Sequence, residues 1–136
     1  MKPFWIPLCA LLAAPVAIAQ YKDPVGNFTR SPTEHIINRV ETPFVVRSLK
    51  GSIRGHESLH EPVPNVLFEI RGPGEDQTIK RATTDKQGRF RIRHLAPGSY
   101  EFKTTLNGYQ SLMGKIMISP TASKKAEITL ELPLGV

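Results

Sequence analysis

From Phe44 onward, apolar and polar positions alternate with period two in short runs separated by Gly, Pro, Asn and Asp. Phe90 and Ile92 alternate with Arg89, Arg91 and Arg93, and Tyr100, Phe102 and Thr104 alternate with Glu101, Lys103 and Thr105. Successive side chains of an extended strand point to opposite faces, so this alternation predicts strands with one dry and one wet side. Seven stretches carry it: 44–54, 63–71, 78–84, 89–94, 99–106, 114–119 and 125–132. Asp85-Lys86-Gln87-Gly88 has the residues of a four-residue hairpin loop and should join the third strand to the fourth. No helical period separates the runs. The chain is therefore expected to be all-β, a seven-stranded antiparallel Greek-key β-sandwich.

Upstream the pattern stops. Residues 20–43 are polar, carry Pro24, Gly26 and Pro32, and show no sustained period. A flexible N-terminal arm is expected there, with Ile36, Ile37 and Val40 its one piece able to form a short strand. Asn27-Phe28-Thr29 has the form of a glycosylation acceptor. Residues 1–19 differ again: Lys2 opens them, an apolar run extends from Phe4 to Val16, and Ala17 and Ala19 are small. Those features predict a secretory signal peptide cleaved before Gln20. The stretch is short against the roughly 20 residues of a bilayer span and contains Pro7 and Pro15, which argues for cleavage over anchoring. The expected plan is a signal peptide over 1–19, an arm over 20–43 and a sandwich domain over 44–136, exported to a periplasmic or extracellular location.

The single Cys, Cys9, and the single Trp, Trp5, both fall in the leader. An exported domain without disulfides must be held by its core alone. The chain has 18 Lys and Arg against 12 Asp and Glu, a net charge of +6, of which Lys2 leaves with the leader. That balance favours anionic surroundings such as cell-envelope polymers, lipid headgroups or acidic partners, and serves solubility equally well. Nucleic acid is a poor partner for an exported chain of modest charge with no aromatics among its arginines. Arg89, Arg91 and Arg93 project from one strand face and are expected to meet Lys80 and Arg81 on the hairpin partner, with Lys103 nearby. Two readings stand side by side: a polyanion-binding face, or a solvated sheet face partly neutralised by Glu69 and Glu101.

Five local motifs follow one another in a recognisable order. Gly51-Ser52-Ile53 is followed by Pro62-Val63-Pro64-Asn65-Val66, then Thr84-Asp85-Lys86-Gln87-Gly88-Arg89-Phe90, Leu95-Ala96-Pro97-Gly98-Ser99-Tyr100, and Gly108-Tyr109. As a set, over roughly Val45 to Leu132, they resemble the carboxypeptidase regulatory-like domain family. The resemblance implies a prealbumin-like (transthyretin-like) sandwich without catalytic residues, typically an accessory module of exported or envelope proteins. Loop 55–61 is longer and more charged than the family's usual turn, and Asn65 stands where Gly is common.

His56-Glu57-Ser58-Leu59-His60 matches the H-E-x-x-H pattern of zinc hydrolases. That chemistry needs a helix, where residues four apart share a face. On a strand the two His would lie about 13 Å apart, and Gly55 and Pro62 leave barely one helical turn. An exposed loop between strands is the expectation, with His56 and His60 remaining metal candidates in name.

Three functions are thus in contention. The first is a non-catalytic exported module acting through protein or cell-envelope contacts, with no cofactor. The second is a carbohydrate- or small-ligand-binding module with Tyr109 as its aromatic platform. The third is a metal-dependent hydrolase using His56, Glu57 and His60. The discriminating features are a basic face, an exposed ring, and a helical metal-ligand spacing.

Overall fold

The computed structural model describes residues 23–32, 36–57, 59–72 and 78–135; the expected signal peptide, residues 1–19, lies outside them. The described residues contain no helix. Nine strands follow one another: β1 (Ile37–Arg39), β2 (Phe44–Val46), β3 (Leu49–Gly55), β4 (Leu67–Arg71), β5 (Ile79–Thr83), β6 (Arg89–Ile92), β7 (Gly98–Thr105), β8 (Ser111–Ile118) and β9 (Ile128–Leu132). Each of the seven expected stretches holds a strand. The first is broken at Arg47 and Ser48 into β2 and β3, and Ile37–Arg39 adds one from the presumed arm.

The strands form two sheets. One has six strands in the order β1-β8-β7-β4-β5, with β2 also on β8; the other has three, in the order β6-β3-β9. Three pairings are parallel rather than antiparallel: β1 and β2 lie in succession along β8, and β3 runs alongside β9. Alternation fixes which face a residue occupies, not which neighbour it pairs with, so these partners were invisible in the pattern.

Burial follows the alternation where a sheet has one wet side. In β6, Phe90 and Ile92 are buried between exposed Arg89 and Arg91, and in β9 Ile128, Leu130 and Leu132 are buried between exposed Thr129 and Glu131. The inward residues of both sheets make one core. Phe90 of the small sheet stacks on Phe68 of the large one with ring centroids 4.2 Å apart, and Phe68 stacks on Phe102 at 5.3 Å. Each such ring contributes roughly 1.5–3 kcal/mol by leaving water. Gly51 is required by close approach of β3 to β9: a Cβ there would lie 2.1 Å from the Ile128 carbonyl oxygen.

The turn at 85–88 forms, but it does not make a hairpin. The Asp85 carboxylate accepts from the backbone N–H of Gln87 and Arg89, each at 2.9 Å, and Gly88 closes the turn at φ +75°. Yet β5 pairs with β4, whereas β6 pairs with β3 in the other sheet. The turn carries the chain over the sandwich edge because Phe90 and Ile92 fill the small sheet's inner face.

The large sheet departs from the alternating pattern. Residues 68–71 of β4, 102–105 of β7 and 111–114 of β8 are buried on both faces. Residues 23–32 lie over this patch, with Val25 and Phe28 buried against Met113, Ile37 and Ile79. Where it is described, the stretch expected as a flexible arm is thus docked on the sheet. Its two apolar side chains sit three positions apart at the ends of a turn closed by Phe28 N–H donating to the Val25 carbonyl (3.0 Å).

Candidate functional site

The small sheet's outer face gathers most of the positive charge that the sequence assigned to a binding surface. The register sets Lys50 of β3 directly opposite Arg91 of β6, and Ser52 opposite Arg89. Arg89, Arg91 and Arg93 are exposed and Lys50 is half-buried. With Asp85 and Glu127 they line a shallow open groove, and Arg91 and Arg93 continue with Arg47 into a second depression around His94. None of the three arginines, nor Lys50, makes an ion pair among the described residues. Like charges opposed across a ladder repel, and here they are tolerated because water screens them. A negatively charged chain laid over the groove would replace that repulsion with attraction.

The other expected members of this face are placed differently. Lys80 reaches the end of the arginine strand over the edge, its Nζ donating to the His94 carbonyl at 3.2 Å. Arg81, Lys103 and Glu69 are not there. Arg81 Nε donates to the Glu69 carboxylate at 2.9 Å on the outer side of the large sheet. Lys103 and Glu69, both fully buried, lie under residues 23–32. Without a β5–β6 hairpin, the two charged rows cannot share a surface. The neutralisation expected from Glu69 and Glu101 is therefore spent elsewhere, on Arg81 and on Arg71.

His56, Glu57 and His60 lie on a loop. His56 N–H donates to the Leu132 carbonyl, His60 N–H to the Glu57 carbonyl, and His60 has φ +47°. The two imidazoles converge on a carboxylate that sequence reading did not connect with them: His56 Nδ1 lies 3.1 Å and His60 Nδ1 3.9 Å from the Glu131 oxygens. All three side chains are about half exposed. Glu57 is not part of that contact, so the spacing a helical zinc motif requires is not reproduced, and among the described residues no three such groups are placed to hold a metal ion.

Tyr109 stands apart from the arginines. It is half-buried at the end of the sandwich, bridged to Leu134 and packed against the core. With Leu59, Pro62 and Leu134 it lines a small, more apolar groove beside the histidine loop.

The residues that sequence reasoning missed are those beneath the N-terminal segment. Arg71 donates to the carbonyls of Val25 and Pro24 at 2.8 Å each, to Asn27 Oδ1 at 3.2 Å and to Glu101 at 3.2 Å, and its guanidinium lies 4.1 Å from the Phe28 ring centroid. The signal was present as Val25 and Phe28, two apolar residues in an otherwise polar stretch.

Residues 48–131 match the family described as the carboxypeptidase regulatory-like domain, which is more than half of the chain. Two solved structures resemble the fold: 3-chlorocatechol 1,2-dioxygenase from Rhodococcus opacus 1CP, with a TM-score of 0.44, and chlorocatechol 1,2-dioxygenase from Pseudomonas putida, with 0.45. Each is 11% identical to this chain; the matches cover 74% and 80% of it, and 64% and 69% of the respective enzymes. The chain thus spans less than two thirds of the first. No curated protein sequence matches.

Proposed function

The chain belongs to the carboxypeptidase regulatory-like domain family, and on that premise we propose that it is a non-catalytic, exported module that works by contact, through the basic outer face of its three-stranded sheet. The partner is an anionic cell-envelope polymer. Export is supported by the apolar run and small residues of 1–19. The observation that carries the reading is the opposition of Lys50 and Arg91, flanked by Arg89 and Arg93, with no ion pair among the described residues. A row of like charges in register contributes nothing to folding, so its favourable use is to meet the opposite charge.

The groove is open and shallow, which suits a linear polymer lying along the strands better than a small ligand needing enclosure. Binding of this kind is dominated by charge and weakens as added salt shortens the screening length below the roughly 8 Å of physiological buffer. The test is titration of the mature chain with polygalacturonate, an acidic polysaccharide, at low and high salt. Binding should be saturable at low salt and fall at least about tenfold both at molar salt and in the Arg89→Ala/Arg91→Ala/Arg93→Ala variant. Equal binding by the variant, or no binding by the parent, would contradict the reading.

A further inference from the structure

The large sheet's outer face holds three ionisable side chains whose burial no strand pairing demands. Glu69, Arg71 and Lys103 are 0, 5 and 0% exposed. What covers them is residues 24–29, and the contacts are mostly to main chain. Arg71 donates to the carbonyls of Val25 and Pro24, Lys103 Nζ donates to the Thr29 carbonyl at 2.6 Å, and Thr29 N–H donates to Glu69 Oε1 at 2.9 Å. Side chains add selectivity: the Thr29 hydroxyl donates to Glu69 Oε2 at 3.0 Å, while Val25 and Phe28 are the apolar anchors. Gly26, inside the turn, has φ +55°, and a Cβ there would come within 2.7 Å of Arg71 Nη1. The face therefore reads a specific object: a tight turn with Gly second, an aliphatic residue before it, and an aromatic and a hydroxyl residue after it.

Two further observations make this a site rather than a fixed piece of core. First, its charged members keep lateral partners that do not depend on the segment: Arg81 on Glu69, Glu101 on Arg71 and Thr105 on Lys103. Uncovered, the face would be hydrated, with Glu69 and Arg71 still ion-paired and Lys103 still bonded to the Thr105 hydroxyl. Second, Glu69, Arg71, Lys103 and Met113 all lie within the family match at 48–131, whereas the segment lies outside it. The domain supplies the receptor surface and an appended stretch supplies the occupant.

We propose that Glu69, Arg71 and Lys103 form a peptide-docking site that residues 24–29 fill in cis and that the same segment of a second copy fills in trans. The one sequence the site holds is this chain's own, so another copy carries the matching ligand by construction. The proposal is independent of the basic face. In cis the tethered segment acts at an effective concentration on the order of millimolar, which keeps the isolated chain closed on itself.

The test mixes two full mature chains. Arg71→Ala disables the site and leaves the segment intact; Val25→Ser/Phe28→Ala disables the segment and leaves the site intact. Each alone should sediment as a monomer, and the mixture should form a one-to-one pair. A labelled peptide of residues 23–32 should bind the segment-disabled chain at least about tenfold more tightly than it binds the parent, whose own segment competes. Gly26→Ala, which removes no apolar anchor, carries the same expectation as a segment-disabled chain should the double variant fail to fold. A folded segment-disabled chain that ignores the peptide, or a mixture that stays monomeric, overturns the proposal.

Discussion

The two outer faces of this sandwich solve the same problem in opposite ways. Both carry charged residues on positions that point away from the core. On the large sheet the signs alternate across the ladder: Arg81 opposes Glu69, Glu69 opposes Lys103, and Arg71 opposes Glu101. On the small sheet Lys50 opposes Arg91, and only at the far end of the face does an unlike pair, Arg54 and Glu131, stand opposed. Opposed unlike charges satisfy one another and can be covered; opposed like charges must stay in water or meet an anion. The large face is accordingly buried beneath the chain's own segment, and the small face is bare. The like-charged row of Lys50, Arg89 and Arg91 is what leaves the small face with charge to offer a partner.

Substitutions that exchange the character of the two faces put this contrast at risk. The largest effect should come from Glu69→Ala, which strips the half-exposed Arg81 and the Thr29 N–H and hydroxyl of their acceptor and leaves buried Lys103 without the opposite charge across the ladder. Breaking a fully buried pair typically costs about 3–5 kcal/mol, and with Arg81 half exposed and screened the loss should fall at or below the lower end of that range in chemical denaturation. The smallest should come from Arg91→Ala on the bare face, where the expected change is within about 0.5 kcal/mol, and of stabilising sign if repulsion from Lys50 dominates. Equal costs at the two positions would mean that the faces do not differ as the ladder registers indicate.

Sequence carried the architecture a long way. Period-two alternation located a strand in each of seven stretches, and the turn residues Asp85 and Gly88 hold the turn they were expected to make. What it did not carry was pairing. A strand's own residues specify its faces, while its neighbour is chosen by the whole core. The hairpin expected between 78–84 and 89–94 is instead a crossing between sheets. The candidate face was legible for the same reason and to the same limit. Arg89, Arg91 and Arg93 do share a surface, but Lys50, opposite Arg91 through a partner strand distant in sequence, could not be placed there. The His56–Glu131–His60 contact likewise depends on β9 lying parallel to β3. The docked segment went unread because its docking rests on main-chain atoms, which have no sequence signature, and on only two apolar side chains.

The most direct measurement is amide nuclear magnetic resonance of the mature chain titrated with polygalacturonate. Shifts should concentrate on β6 and β3, at Lys50, Ser52, Arg89 and Arg91, while the amides of Glu69, Arg71 and Lys103 stay in place. Shifts centred on the covered face or on the Tyr109 groove, or none on β6, would contradict the assignment of the bare basic sheet as the working surface.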